Sequence, residues 1–505
     1  MKVARPVLRG ESGGNAADVL DSNPNFTDMN IFSFIHNFPD DNACITHFKV
    51  LSEQNELVCT KCGGKTYYML RNKLSYECKR CHSRQALCAG TVIQLLLILI
   101  SLISSCDNKK DNQSINVIPL EKTVGNYKTL NLSDYATDIK YIPLETNDLN
   151  LISDINRIIY ENGKILILEC SSGKDNCYLF DNNGMFCCKI GHWGQGPEDY
   201  QQISDVSIHD NYIYLFDWNK ILIYDSNGHL VEIINLQLDE IPLAYRESSL
   251  RRILPLKKDA FVVTVVTMRG YYPTAFLFEF FQSNIKQIKE YPSYMALDKN
   301  RGGFSTDELG DMYHFADDIR IYKVINDTIF TIGQNLEIKD AFIFELGQYK
   351  PPHTLLEMED GITNFVKNNK NFIFPNTIYE SLFHLYIRFD FGIHAPTPFE
   401  YTNNMGIKHN ITIVCGVYDK RTGELTLMSQ PEKGKLGFKN DIDNGSVIWP
   451  HYISSNNELV TYITVEDFLD HYEKTKNPLP QMTEIAKRVD FDDNQIVIVA
   501  KLKKL

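Results

Sequence analysis

A short apolar stretch in the first quarter of the chain separates two unlike parts of the sequence. Residues 95–103 are apolar except for Ser101, and the stretch ends in two serines and Cys106, directly before a strongly polar run. It is well below the ~20 residues that a helix needs to cross a bilayer. Its length is typical of the hydrophobic region of a signal peptide, and the alternative is a buried core element that happens to precede a cysteine.

The end of this stretch resembles the lipobox of bacterial lipoproteins. Ile103 occupies the −3 position, two small residues follow, and Cys106 would be the residue that becomes lipidated. Signal peptides begin a chain behind a short basic region, whereas here about 90 residues come first and the nearest upstream basic residue is Arg84. We therefore interpret the sequence as two unrelated pieces joined near residue 94. Processing at Cys106 predicts a membrane-anchored protein of the cell envelope, and its absence predicts a cytoplasmic one.

Charge and cysteine content divide at the same place. The net charge is −13, but residues 1–94 hold 11 Lys/Arg and 9 Asp/Glu, so the acidity belongs to the remainder. An acidic bulk argues against nucleic-acid binding there, because phosphate contacts need clustered Lys and Arg. Seven of the twelve cysteines lie at or before Cys106, and the other five are an odd set that makes a poor disulfide framework.

The strongest motif in the chain is a pair of Cys-x2-Cys knuckles. Cys59 and Cys62 are separated by fifteen residues from Cys78 and Cys81, which is typical of a four-thiolate zinc site. Four thiolates complete a tetrahedron without an open position, so we predict one structural Zn²⁺ and no catalytic metal. The segment between the knuckles predicts a hairpin with aromatic side chains. His82 directly follows the second knuckle, and we predict that it is not a ligand.

This part of the chain resembles the N-terminal zinc ribbon of a group of insertion-sequence transposases. The resemblance covers residues 29–93 and rests on Phe38-Pro-Asp-Asp, the two cysteine knuckles, Tyr76 and Ala89-Gly-Thr-Val. In that family the ribbon contacts DNA and precedes a catalytic domain whose acidic residues hold two metals. Here the apolar stretch follows instead, so transposase activity is not expected and no catalytic residues are predicted. For any one of the possible nucleic-acid contacts a solvated surface is the favoured explanation, and these residues are Lys61, Lys65, Arg71, Lys73, Lys79, Arg80 and Arg84.

The large C-terminal part shows a two-residue hydrophobic period in short strands. Two similar segments, around Asp181-Asn-Asn-Gly184 and Asp225-Ser-Asn-Gly228, lie 44 residues apart, with weaker copies around Asn326 and Asp419. Each predicts the outer hairpin of a four-stranded blade. A period of about 40–45 residues indicates a β-propeller. We therefore predict a mainly-β chain with about six four-stranded blades, and a closing strand at 494–502 that pairs with 140–143.

A glycine-rich loop lies between the two clear repeats. It contains Gly194-Gln-Gly196-Pro-Glu-Asp-Tyr200, and we interpret its glycines as positive-φ turn positions between blades. This loop, the segment from Asp138 to Thr146 and the upstream lipobox resemble a family of six-bladed β-propeller lipoproteins from Gram-negative anaerobes. The resemblance runs from Leu95 to the C-terminus and implies a fold but no ligand.

These patterns predict the following division of the chain: a flexible leader at 1–28, a zinc ribbon at 29–93 with a helix at 42–52, a lipoprotein signal-like stretch at 94–106, a tether at 107–116 and a propeller at 117–505, with helical insertions at 353–370 and 464–487.

Three functions compete on this sequence. In the first, the propeller is anchored in the membrane through lipidated Cys106 and binds a protein or saccharide, with His192, Trp193 and Trp218 on its binding face. In the second, the zinc ribbon alone binds nucleic acid and the propeller is an interaction platform. In the third, the propeller is a lactonase-like hydrolase whose metal ligands would include Asp205, Asp217 or Asp318, although acidic residues at strand ends more often serve turns.

Overall fold

The computed structural model of the chain describes residues 59, 61–70, 75–86, 116–171, 174–217, 220–235, 249–257, 260–266, 275–281, 284–291, 310–323, 326–352, 369–402, 406 and 408–504. The chain divides into two units, Met1–Gln113 and Ser114–Leu505. The predictions for the leader, the helix at 42–52, the signal-like stretch with Cys106, nearly all of the tether, and the insertion at 353–370 except its end lie outside the described residues.

The first unit contains a three-stranded antiparallel sheet. Its strands are β1 (Tyr67–Leu70), β2 (Ser75–Cys78) and β3 (Arg84–Ala86), in the order β1-β2-β3. Tyr67 lies opposite Cys78, so the first hairpin brings the second knuckle back to the first. This confirms the hairpin that was predicted between the two cysteine pairs.

The second unit begins with three strands that later sheets use. They are β4 (Asn116–Ile118), β5 (Tyr127–Lys128) and β6 (Ala136–Pro143), and the short helix α1 (Leu120–Thr123) lies between the first two.

Four-stranded sheets follow in succession, and their strands are consecutive along the chain. Sheet 1 contains β7 (Ile155–Glu161), β8 (Lys164–Ser171), β9 (Lys174–Asp181) and β10 (Phe186–Lys189). Sheet 2 contains β11 (Ile203–His209), β12 (Tyr212–Asp217), β13 (Lys220–Tyr224) and β14 (Leu230–Asn235). Sheet 3 contains β15 (Ser249–Lys257), β16 (Ala260–Val266), β17 (Ala275–Phe281) and β18 (Asn284–Tyr291).

The remaining sheets recruit strands from the start of the unit. Sheet 4 contains β19 (Gly310–Phe315), β20 (Asp318–Lys323), β21 (Thr328–Ile332) and β22 (Ile338–Phe344), and β4 adds to its edge. Sheet 5 contains β23 (Phe374–Glu380), β24 (His384–Asp390), β27 (Ile413–Asp419) and β28 (Glu424–Met428), with β5 at its edge; the hairpin β25 (Phe399–Thr402) and β26 (Lys408–Ile411) is inserted after β24. Sheet 6 contains β29 (Tyr452–Ile453), β30 (Glu458–Ile463), β31 (Ile496–Leu502) and β6.

The first strands of these sheets contact one another in a closed ring, in the order β7, β11, β15, β19, β23, β29 and back to β7. We call them the inner strands. The propeller-like, mainly-β class is therefore confirmed, but the predicted number of about six four-stranded blades is wrong, because the number is five. Five blades are built from successive stretches of the chain, two of them with a fifth strand, and a further sheet closes the ring with strands from both ends of the unit.

The N-terminal segment covers the outer edges of three neighbouring sheets. β4 pairs in parallel with β22, β5 pairs in parallel with β28, and β6 pairs antiparallel with β31. The last pairing sets Ile496 opposite Pro143 and Val499 opposite Lys140, which confirms the predicted closing strand. These additions remove unpaired edges that would otherwise be open to association.

The outer-hairpin prediction holds for three of the four repeat segments. Asp181 and Asp225 each accept hydrogen bonds from backbone N–H groups two and four residues later, between the third and fourth strands of sheets 1 and 2. Asp419 has the same place in sheet 5. The segment around Asn326 instead joins the second and third strands of sheet 4, so its assignment as an outer hairpin was wrong.

The predicted helical insertion near the C-terminus is confirmed. It forms α2 (Val465–Lys474), which Thr464 caps through its side chain, and α3 (Pro480–Ala486). Phe468 and Ile485 are buried in the core between sheets 5 and 6. In the second and third strands of a blade both faces are buried, so segments such as Ile165–Leu168 are continuously apolar rather than alternating.

Candidate functional site

The four cysteines of the two knuckles converge on one point. All four sulfur atoms lie within 4.8 Å of one another, and the Cys59–Cys81 and Cys62–Cys78 pairs are each 3.6 Å apart. Ligands at ~2.3 Å in a tetrahedron would be separated by about 3.8 Å, so the set fits a four-thiolate zinc ion. It is also the only group of three or more potential His, Cys, Asp or Glu ligands this close together among the residues that the structure describes.

The backbone builds each knuckle in the same way. The N–H of Gly63 donates to the carbonyl of Cys59, and the N–H of His82 donates to the carbonyl of Cys78, at 2.8 and 2.9 Å. Gly63 has φ of +67°, and a Cβ at Gly64 would lie 3.3 Å from the Cys78 sulfur, which is a tight contact. The N–H of Lys61 lowers the pKa of Cys59 to about 6, which favours the thiolate that a metal binds.

The predicted basic residues of the ribbon are exposed where they are described. These are Lys61, Lys65, Lys79, Arg80 and Arg84, whereas Arg71 and Lys73 lie outside the described residues. Lys79 places its ammonium 4.7 Å from the ring centre of exposed Tyr68, and Arg84 pairs with Glu77 at 2.7 Å. Glu77 also binds His82 at 3.1 Å, so His82 has a partner other than the cysteine cluster.

In the propeller, the glycine-rich loop connects sheet 1 to sheet 2 and presents aromatic surface. Tyr200 is fully buried and donates from its hydroxyl to the Asp175 carbonyl at 2.8 Å, which anchors the loop. His192 and Trp193 are exposed, the latter to 52%, just before the inner strand β11. Trp218, the third residue predicted on this face, lies outside the described part of the chain.

Two glycines in this loop do not have the backbone conformation that was predicted for them. Gly191 has φ of +70°, but Gly194 and Gly196 are not in the positive-φ region. A Cβ at Gly194 would lie 2.3 Å from the Asp199 carboxylate, and one at Gly196 would lie 2.8 Å from it. The Asp199 side chain folds back to accept the N–H of Gly196 at 2.8 Å, so a side chain at either position would have to displace this carboxylate.

Four charged side chains meet at the beginning of the inner strands. Arg157 and Arg252 both donate to one oxygen of Asp205, at 2.7 and 2.8 Å, and Arg252 also contacts Asp311 at 2.7 Å. They come from β7, β11, β15 and β19, four successive members of the ring. We call these four residues the channel cluster.

A repeated backbone irregularity precedes the cluster. The pairing register shifts immediately before Arg157 in β7, before Asp205 in β11 and before Arg252 in β15, and the same shift precedes Thr377 in β23. A β-bulge turns the following side chain relative to the regular pleat, and bulges are enriched next to functional sites. The bulges therefore account for how three side chains of different blades aim at one another.

The cluster is deep but not closed. Asp205 is 1% exposed, and its second oxygen has no hydrogen-bond partner among the described atoms. Burial raises the pKa of Asp205 to about 7, although Arg157 lowers it. The side chain of Arg157 retains 23% exposure and that of Asp311 41%, so solvent or a ligand reaches this end of the ring.

Two further polar side chains belong to sheet 5. Tyr379 is on the inner strand β23, and burial raises the pKa of its hydroxyl to about 12, while the charges of Arg388 and Arg157 lower it and that of Asp311 raises it. Arg388 lies on β24 opposite Thr377, and its guanidinium is 5.9 Å from the ring centre of Trp449. Neither Tyr379 nor Arg388 was singled out by the sequence, since the bulge that aligns them with the other blades leaves no pattern in the sequence.

The acidic residues considered for a hydrolase metal site do not converge. Asp205 is paired with arginines in the channel cluster. Asp217 accepts the backbone N–H groups of Gln201 and Gln202, and Asp318 accepts the hydroxyl of Thr331 at 3.3 Å. Asp217 therefore stabilises the loop before β11, as the turn interpretation predicted, whereas Asp318 contacts the neighbouring strand β21.

The fold and the cluster define this protein as a β-propeller with a charged site at one end of its inner strands. Residues 115–501 match the family described as Domain of unknown function (DUF4934), and the chain belongs to that family. None of the curated proteins matches the chain.

Solved structures support the fold. A crystal structure of a Bacteroides fragilis protein described as exported has 18% identity and a TM-score of 0.54, and the alignment covers 77% of this chain and all of the other. Weaker similarities, which carry no argument, include a streptogramin B lyase (11% identity, TM-score 0.29, 72% of this chain and 98% of that chain). Another is the extracellular domain of a two-component system from B. thetaiotaomicron (11%, 0.30, 64% and 32%). Within the described residues, no helix combines the length and hydrophobicity needed to cross a membrane.

Proposed function

We propose that the protein is an exported, envelope-anchored β-propeller that binds a protein or saccharide ligand at the end of the ring where the channel cluster lies. The anchor would be a lipid on Cys106, which follows the lipobox-like stretch. The Bacteroides fragilis protein with the same fold is described as exported, which supports this location. Without processing at Cys106, the protein would remain in the cytoplasm.

The channel cluster is the observation that carries the binding function. Buried polar atoms in native proteins are nearly always hydrogen-bonded, so an unpartnered oxygen on Asp205 beside a partly exposed Arg157 needs an explanation. A purely structural ion network would satisfy its members and exclude solvent. A ligand site keeps part of its hydrogen-bonding capacity for the ligand, and this cluster does so.

Exposed aromatic surface is present on the loop before β11. Trp193 is on the loop that leads directly into β11, whose third residue is Asp205. Aromatic side chains provide large contact areas at binding sites for little loss of side-chain entropy. Trp193 and His192 would therefore form the rim of the site.

For the first unit, we propose a structural role for one Zn²⁺ held by the four cysteines, within a ribbon of transposase origin. The exposed Lys61, Lys79 and Arg80 are the side chains through which such a ribbon would contact nucleic acid. Nucleic-acid binding is the second candidate function, and it would replace the first only in an unprocessed, cytoplasmic chain.

The decisive experiment determines the mature N-terminus in the native cell. The protein is captured from fractionated membranes through its C-terminus, and its mass and acyl group are measured beside a Cys106→Ser variant. A chain that begins at acylated Cys106 and moves to the soluble fraction in the variant supports the envelope function. A soluble, unprocessed chain with one zinc contradicts it and favours the nucleic-acid function.

A further inference from the structure

A row of polar side chains on the inner strand β11 points into the ring. After the bulge, Asp205, Ser207 and His209 lie on one side of β11, because alternate residues of a strand share a face. At the far end of the row, the ring of His209 stacks on that of His314, with their centres 4.8 Å apart. His314 is on β19, which is not a neighbour of β11 in the ring. The row therefore faces the space that the inner strands enclose.

Two members of this row have unused hydrogen-bonding capacity. One oxygen of Asp205 accepts hydrogen bonds from Arg157 and Arg252, whereas the other has no partner among the described atoms. The hydroxyl of Ser207, about 7 Å further along the strand, is buried and also has no partner in the described part of the chain. Because buried polar atoms are nearly always hydrogen-bonded, water or a ligand is expected beside both groups.

The open end of the row presents both signs of charge. Arg157 and Asp311, whose side chains are 23% and 41% exposed, are joined through Asp205 and Arg252 by contacts of 2.7, 2.8 and 2.7 Å. Arg157 uses only one nitrogen for Asp205, so its guanidinium can donate further hydrogen bonds, and the carboxylate of Asp311 can accept them. An anionic or a cationic ligand would meet a like charge here. An uncharged ligand with both donors and acceptors meets none.

We propose that the channel cluster binds an uncharged saccharide, whose hydroxyl groups reach Arg157 and Asp311 at the open end and Asp205 below them. A hydroxyl further inside would reach Ser207. The inference rests on the proposed binding function and specifies the class of its ligand. A hydroxyl group both donates and accepts, whereas a peptide N–H only donates and a peptide carbonyl only accepts. Since burial raises the pKa of Asp205 to about 7, both of its forms are present at neutral pH, and a hydroxyl fits either one.

The test presents the full-length protein with an array of neutral, acidic and amino oligosaccharides and uncharged peptides. Calorimetry then measures the Kd of each bound probe. We expect binding to neutral oligosaccharides, with a Kd that changes by less than about threefold between pH 6 and pH 8, because a hydroxyl serves Asp205 in both forms. An acidic saccharide would instead bind more weakly as the pH rises, and an amino saccharide more tightly.

Two variants remove groups that would contact the saccharide. Ser207→Ala should raise the Kd by about fivefold and Asp311→Asn by about tenfold, since hydrogen bonds to charged groups are the stronger ones. The matched control is Asp210→Asn, which makes the same change in the turn after β11, where the side chain is 73% exposed. Its Kd should equal that of wild type, and unfolding midpoints verify that each variant is folded.

The inference is overturned if binding is confined to acidic or amino saccharides. It is also overturned if Ser207→Ala and Asp311→Asn bind a neutral saccharide as tightly as wild type does. An uncharged peptide whose binding Asp311→Asn weakens would leave the binding function intact and overturn only the saccharide. Binding to no probe of any class would mean that water alone fills the row, and it would count against the proposed binding function as well.

Discussion

Two buried ion networks in the propeller differ in how completely they are satisfied. Between sheets 4 and 5, Glu380 has no exposed side-chain surface and receives Arg320 at 3.0 Å, Lys420 at 2.6 Å and the Tyr313 hydroxyl at 3.0 Å. In the channel cluster, by contrast, Asp205 keeps an unpartnered oxygen and Arg157 is partly exposed. The first network has the features of a structural contact, and the second has those of a site with spare capacity.

The difference teaches that buried charge alone does not identify function. Glu380 lies at the end of an inner strand, as deep as Asp205, and it also meets two cations. Its cations are further occupied by the ring of Phe315, which Lys420 approaches at 3.9 Å. Only the channel cluster combines depth with solvent access and unused donors, and the following measurements compare the two networks directly.

The largest effect is expected from Glu380→Gln. The substitution leaves Arg320 and Lys420 buried without a counter-ion, and breaking such a network costs about 3–5 kcal/mol of unfolding free energy. Urea unfolding at pH 7 measures it. Glu400→Gln is the control, because Glu400 and Lys408 form a pair with both side chains about two-thirds exposed, worth less than about 1 kcal/mol. Similar losses in both variants would contradict the structural role of the Glu380 network.

The second-largest effect is expected from the ionisation of Asp205, which makes the unfolding free energy depend on pH. Its folded pKa of about 7 exceeds the ordinary 3.8, so the folded state holds a proton that the unfolded state has released between pH 4 and 7. Stability from this group is therefore full below about pH 4 and is lost as the pH rises through 7, by up to about 4 kcal/mol. The unfolding free energy of wild type minus that of Asp205→Asn should fall over this range.

The unfolding free energy of wild type has to be compared with that of Asp205→Asn because buried histidines also make stability depend on pH. Burial lowers the pKa of His314, His384 and His451 to about 4, and these groups add stability as the pH rises. Because both proteins contain them, their contribution cancels in the difference. A difference that rises with pH instead would mean that Asp205 is ionised and firmly held by its two arginines, as Glu380 is by its cations.

The sequence predicts the turns and strands around the channel cluster better than it predicts the cluster itself. The Asp-x-x-Gly turns at 181 and 225 and the closing strand at 496–502 depend on local backbone chemistry and on hydrophobic alternation, and both are visible in the residues. The channel cluster depends on bulges that bring Arg157, Asp205 and Arg252 together from strands about 50 residues apart. Nothing in the local pattern distinguishes these three from other charged residues near strand ends.

The cysteine site is the opposite case. Its four cysteines lie within 23 residues, and the geometry of a knuckle is set by neighbours in sequence, so the spacing alone predicts which sulfur atoms converge. Gly194 and Gly196 show the limit of such reasoning. Their place in a turn was correct, but the reason is the Asp199 side chain that folds over them.

A smaller effect is expected from Arg157→Met. Asp205 retains Arg252 after this change, and Arg157 was already partly solvated, so the loss should be about 1–3 kcal/mol and less than that of Glu380→Gln. Chemical denaturation measures both under one condition, with Arg157→Lys as the variant that keeps the charge. A loss as large as that of Glu380→Gln would show that the channel cluster is as structural as the other network.

The smallest effect is expected from Arg388→Met. Arg388 has a buried Nε without a partner and no carboxylate beside it among the described residues, so replacement by an apolar side chain should leave stability unchanged or raise it by up to about 1 kcal/mol. The matched variant is Arg320→Met, which removes a cation from Glu380 and should cost several times more. Equal losses of unfolding free energy at positions 388 and 320 would mean that Arg388 stabilises the propeller as much as Arg320 does. The distinction between a satisfied and an unsatisfied network would then be wrong for Arg388.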